Sequence, residues 1–151
     1  MSRNVCEELV SILQGVGVER IFGVTGDALN PLLDAIRRQD QLRWIAVRHE
    51  ETAGYAAAAE SLISGRLGVC AGTVGPGALH LLNGIYNAKK EGAAVLAITG
   101  QVDSSRIGSG MPQESSQLQL LEDLCLFNVE ARSPENLMEM LHIAINTALT
   151  R

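Results

Sequence analysis

The sequence predicts an α/β fold, a three-layer sandwich whose parallel sheet of about six strands carries helices on both faces. Three observations predict it. Short apolar runs alternate with segments of helical period along the whole chain. The apolar runs are continuous, the pattern of strands covered on both faces. Glycine, proline and aspartate punctuate the junctions between the two kinds of segment.

The elements follow in order. Val5, Leu9, Ile12, Leu13 and Val16 recur at helical spacing, and Gly15 and Gly17 supply a stop. Ile21 to Val24 reads as a buried strand, followed by a turn at Thr25-Gly26-Asp27. Asn30-Pro31 opens a helix through Leu32, Leu33 and Ile36, because proline suits a first helical turn. Trp44 to Val47 is the second strand. Glu51 to Ser64 is a helix whose alanines, Ala53 and Ala56 to Ala59, permit close packing. Leu67 to Ala71 is the third strand, Gly77 to Lys90 the next helix and Ala94 to Thr99 the fourth strand. From Gly100 to Gln117 the chain is rich in Gly, Ser and Gln and reads as a long loop. Leu118 to Leu124 predicts a short helix and Phe127 to Val129 a further strand. Ser133-Pro134-Glu135 caps a last helix that ends near Leu149. No repeat or linker divides residues 1–151, which read as one domain.

Composition narrows the function. A chain of 151 residues, 46% hydrophobic and 3% aromatic, builds an aliphatic core. Few aromatic rings and a formal charge of −5 argue against nucleic acid, which needs stacking platforms and a basic surface. No run of apolar residues is long enough for a membrane span, and the N-terminal residues lack an apolar signal core. Cys6, Cys70 and Cys125 are scattered and odd in number, which points to reduced thiols in a cytoplasmic protein.

In doubly covered parallel sheets, sites form at the carboxyl ends of the strands. The turn at Thr25-Gly26, Glu50, the run Thr73 to Gly77 and the loop from Gly100 therefore share one rim. Each has a plain reading. Glu50 and Glu51 suit the positive end of a helix macrodipole, and Glu51 suits it better. His49 is a candidate base, although a histidine at a strand end more often makes a structural hydrogen bond. Gly75-Pro76-Gly77 is a tight turn without the Lys-Ser/Thr of a phosphate loop. Gln113-Glu114 lies in a loop open to solvent. Gly26-Asp27 is followed by Ala28, and the sequence predicts no metal site.

Three runs change the balance: Val47-Arg-His-Glu-Glu, then Gly68-Val-Cys-Ala-Gly-Thr-Val-Gly-Pro-Gly-Ala-Leu-His-Leu-Leu-Asn-Gly, then Val95-Leu-Ala-Ile-Thr-Gly-Gln. In this order they resemble the pyrimidine-binding domain of thiamine diphosphate enzymes, from about residue 3 to about residue 149. Ile21-Phe-Gly-Val-Thr-Gly-Asp-Ala-Leu-Asn and Ser104-Ser-Arg-Ile-Gly-Ser-Gly are most similar to pyruvate oxidase, the quinone-dependent pyruvate dehydrogenase, with acetolactate synthase next.

The resemblance implies a role for each rim residue. Glu50 matches the glutamate that hydrogen-bonds N1′ of the cofactor's pyrimidine and triggers activation of its thiazolium carbon. Gly26 matches a turn beside the pyrimidine, and Thr73 and Pro76 match the wall of its pocket. His80 matches a position that reaches the cofactor, and Gln113 matches the glutamine facing the thiazolium and the substrate. Pro112 and Ala94 depart from the family, which has Phe and Pro there. The resemblance also implies a diphosphate-binding domain holding Mg²⁺ and a central domain holding FAD, neither of which this sequence contains. The expectation is a homo-oligomer in which the cofactor lies against a diphosphate-binding partner, with the isolated chain inactive. An acetolactate synthase-type carboligase part and a non-catalytic association domain are the alternatives.

Overall fold

The computed structural model describes residues 4–150. Helix α1 (Val5–Gly15) starts at a reciprocal cap. Asn4 Oδ1 accepts the Glu7 N–H at 2.9 Å, and the Glu7 carboxylate accepts the Asn4 N–H at 3.1 Å. Strand β1 (Arg20–Gly23) leads through a 3-10 turn, Asp27–Leu29, into α2 (Asn30–Arg37), with Pro31 in its first turn. Strand β2 (Arg43–Ala46) is followed by α3 (Glu50–Ser64), which ends on Gly65 at φ 70°, a left-handed position suited to glycine. Strand β3 (Gly68–Gly72), α4 (Pro76–His80), α5 (Leu82–Glu91) and β4 (Val95–Thr99) come next. After a 3-10 turn at Ser104–Arg106 come α6 (Gln117–Leu121) and α7 (Pro134–Leu149). Ser133 caps α7, its hydroxyl accepting the Asn136 N–H at 3.1 Å.

Among the described residues the sheet has four parallel strands in the order β2-β1-β3-β4. This corrects the expectation of about six. Phe127 to Val129 forms no strand. It lines an open cavity of about 500 Å³ beside β4, with Leu96, Ile98, Leu121 and Leu141. The single helix expected from Gly77 to Lys90 is also corrected. The Leu81 N–H reaches back only three residues, to the Ala78 carbonyl at 3.3 Å, and that tightened turn separates α4 from α5. Leu81 is completely buried there, so the break serves the core.

Alternation along the strands sorts the helices into two layers. Ile21, Val69, Ala71, Leu96 and Ile98 face α1, α2 and α7. Phe22, Cys70, Val95 and Ala97 face α3, α5 and α6. The second layer is drawn in by small residues. A Cβ on Gly84 would lie 2.5 Å from the Gly54 Cα, so α3 and α5 cross backbone to backbone. No described helix is long and apolar enough to cross a membrane.

Candidate functional site

The carboxyl ends of β1, β2 and β3 bring most of the predicted residues together. Glu50 is the first residue of α3 and only 7% exposed. Its Oε2 lies 3.0 Å from Nδ1 of His80, the last residue of α4. When Glu50 is ionised its Oε2 can only accept, and Nδ1 of His80 then donates. The His80 ring stacks on His49, with centroids 4.4 Å apart and planes inclined by 29°. His49 is the N-cap of α3, and its Nδ1 accepts the Glu51 N–H at 3.3 Å. The structural hydrogen bond weighed for His49 is therefore present. Glu51, the neighbouring carboxylate, turns away to accept from Asn83 Nδ2 at 3.1 Å.

Two glycines shape the space around Glu50. A Cβ on Gly77 would lie 3.2 Å from Glu50 Oε1 and 2.8 Å from Thr73 Cγ2. A Cβ on Gly26 would lie 2.4 Å from Thr73 Cβ, so the β1 turn closes directly on the turn after β3. Gly26, Thr73, Gly77 and Glu50 thus form one contiguous surface. The Thr73 hydroxyl is buried there with no hydrogen-bond partner among the described residues. Buried hydroxyls are rarely left so, and an orphan at a rim suits a ligand that supplies the missing partner. Pro76 opens α4 at the exposed outer edge of this surface.

Gln113 arrives differently. Its backbone, not its side chain, packs on the turn: a Cβ on Gly75 would lie 2.4 Å from the Gln113 carbonyl oxygen. The Gln113 side chain is exposed, as is Pro112. Glu114 ties the loop to itself, accepting the N–H groups of Gly108 and Gly110, the latter at 2.9 Å. The Gly108 N–H, with lesser help from Gly110 and Met111, holds the Glu114 carboxyl below the usual range. Buried Gln117 anchors the end of the loop, its Nε2 donating to the Gly100 carbonyl at 2.7 Å.

Sequence reasoning missed two of these parts. Gln117 was expected only to end a loop, and a glutamine in polar surroundings carries no sign of burial. The stack of His49 on His80 joins residues 31 apart in the chain, and no local spacing announces it. The donor atoms of His49, Glu50 and His80 all lie within 4.8 Å of one another.

The residues present fit an aminopyrimidine. They offer a buried carboxylate, an unsatisfied hydroxyl and a wall kept open by glycines. Comparisons with known proteins give the family. The chain is 44% identical over 146 residues to a putative thiamine pyrophosphate-containing protein of Bacillus subtilis, covering 96% of this chain and 25% of that one. It is 34% identical over 141 residues to pyruvate oxidase of Lactiplantibacillus plantarum, covering 93% and 23%. It is 37% identical over 144 residues to a probable acetolactate synthase large subunit of Methanocaldococcus jannaschii, covering 95% and 24%. The chain thus spans about a quarter of the length of these relatives. Residues 3–120 match the family described as thiamine pyrophosphate enzyme, N-terminal TPP binding domain, and this chain belongs to that family.

Proposed function

We propose that this chain supplies the pyrimidine-binding half of a thiamine diphosphate site in an enzyme of the pyruvate oxidase type. One observation carries the reading: a buried carboxylate at the head of α3, braced by His80 and facing a turn whose glycines and orphan hydroxyl leave room for a ring. Glu50 would hold pyrimidine N1′ and share a proton with it. His80 bonds Oε2, which leaves Oε1, on the Gly77 side, for that contact. Gly26, Thr73 and Pro76 would form the wall beside the ring, and Gln113 would face the substrate side. When bound, the cofactor supplies the carbon that attacks a 2-oxo acid and accepts electrons on loss of carbon dioxide. Mg²⁺, FAD and the diphosphate contacts belong to parts outside this chain, in a partner subunit or further along a longer polypeptide.

Val24-Thr-Gly-Asp and Ser104-Ser, followed by Ile107-Gly-Ser-Gly, favour pyruvate oxidation over carboligation. The likeness to acetolactate synthase sustains carboligation as a second reading. Assembly with a diphosphate-binding half tests both. Glu50→Gln should leave the melting profile intact and slow exchange of the cofactor's C2 proton by at least about 100-fold, followed by NMR. Wild-type exchange in that variant sinks the assignment. Product analysis with pyruvate, acetolactate against a reduced electron acceptor, decides between the two readings.

A further inference from the structure

We propose that His49, Glu50 and His80 form a binding site for a late first-row divalent ion, of which Zn²⁺ is the best fit. Two imidazoles and one carboxylate are a ligand set that suits zinc and its neighbours and does not suit Mg²⁺, which takes oxygen. The three residues come from two places: His49 and Glu50 from the head of α3, His80 from the end of α4. Their donor atoms lie within 4.8 Å of one another, a grouping of His, Cys, Asp or Glu that recurs nowhere else among the described residues.

The site is partly built. Glu50 Oε2 and His80 Nδ1, at 3.0 Å, already share a proton that an ion can replace. The carboxylate is fixed, being 7% exposed at the head of a helix. An ion there neutralises a buried negative charge. The histidines supply the adjustment. The two ring centroids lie 4.4 Å apart and the planes are inclined by only 29°, so they do not meet at a metal–nitrogen distance and at least one ring must turn to share an ion. His49 can turn: half its side chain is exposed, at 50%, and it gives up a long 3.3 Å cap bond and the stack on His80. No thiol competes from the core, because burial pushes Cys70 up to about 12 and keeps it protonated.

An ion on Oε2 draws charge from the carboxylate whose Oε1 the pyrimidine would use, so Zn²⁺ would oppose the sharing of a proton with the cofactor. That consequence rests on the thiamine reading, but the site does not. Zinc binding by the chain, with wild-type C2 exchange in the assembled Glu50→Gln enzyme, keeps this proposal and loses the other, and the converse holds.

The test is calorimetric titration of ZnCl₂ into the 151-residue chain carrying Cys6→Ser and Cys125→Ser, in a buffer that binds no metal. The expected result is one site per chain, with affinity reduced more than about tenfold by either His49→Ala or His80→Asn. Absence of binding, or unchanged affinity in either histidine variant, overturns the proposal. A folding defect in a variant is bypassed by titrating Ni²⁺ into the unsubstituted chain. Paramagnetic broadening of NMR signals should centre on His49 and His80, and broadening centred elsewhere overturns the site equally.

Discussion

Two stretches of chain meet at the rim, and they are held in place by different means. Residues 50–92 are locked by backbone contact. A Cβ on Gly68 would lie 2.0 Å from the Ala57 carbonyl, and α3 meets α5 where Gly54 touches Gly84. Every residue of β3 is buried. Residues 100–133 are held by polar side chains, chiefly Gln117 on Gly100 and Glu114 on Gly108 and Gly110. They flank the cavity beside β4, a strand buried only in part along its whole length. The difference separates two tasks. The stretch that bears Glu50 cannot shift without breaking close packing, while the stretch that bears Gln113 can move at little cost. A carboxylate that must meet one ring atom belongs on the first, and a side chain that meets varied substrates belongs on the second.

The same substitution made on each side should break or confirm this comparison most clearly. Ala57→Leu forces a larger side chain into a position of zero exposure between α3 and β3, and should lower unfolding stability by about 3 kcal/mol. Ala131→Leu, in the looser stretch, enlarges an exposed residue that lines the cavity, and should change stability by less than about 1 kcal/mol. Denaturant unfolding of both variants reads the difference. Equal costs would mean that the cavity closes in solution and that the two stretches are packed alike.

The locked stretch was also the legible one. A continuous apolar run and alanine-rich helical spacing placed β3 and α3 within a few residues, because burial on both faces writes itself into composition. The convergence of Gly26, Glu50 and Thr73 followed from topology alone. The looser stretch was read less well for a physical reason. Phe127 to Val129 has strand-like side chains, yet strand formation needs a partner edge at the right distance, and that is a tertiary fact. Within the locked stretch, the division at Leu81 was invisible too, since helical periodicity runs through it unbroken.

The seam between the stretches offers the next test. Gly75 holds φ 64° and ψ −113°, a conformation that side-chain-bearing residues rarely adopt, with the Gln113 carbonyl against it. Gly75→Ala should cost about 1–3 kcal/mol through backbone strain and should also push the Gln113 segment away from the turn. Hydrogen exchange should therefore quicken in residues 111–115 more than in α3. Uniform quickening across both stretches would show that the seam transmits strain and does not isolate it.

The smallest expected effect lies wholly within the loop. Glu114 is held below its ordinary value of 4.5, first by the Gly108 N–H, so its bonds to the loop favour the ionised carboxyl. The sign follows from linkage. A depressed folded-state pKa stabilises the loop above 4.5 and loses that contribution as pH falls through the lowered value. Glu114→Gln removes the charge at every pH. It should reduce the protection factors of the Gly108 and Gly110 amides several-fold at about pH 6 while leaving the global unfolding midpoint where it was, because the loop opens locally. Wild-type protection should fall toward that of the variant on acidification. A midpoint that moved as much as the local protection would show the loop to be part of the cooperative core, and Gln113 would then be as rigidly placed as Glu50.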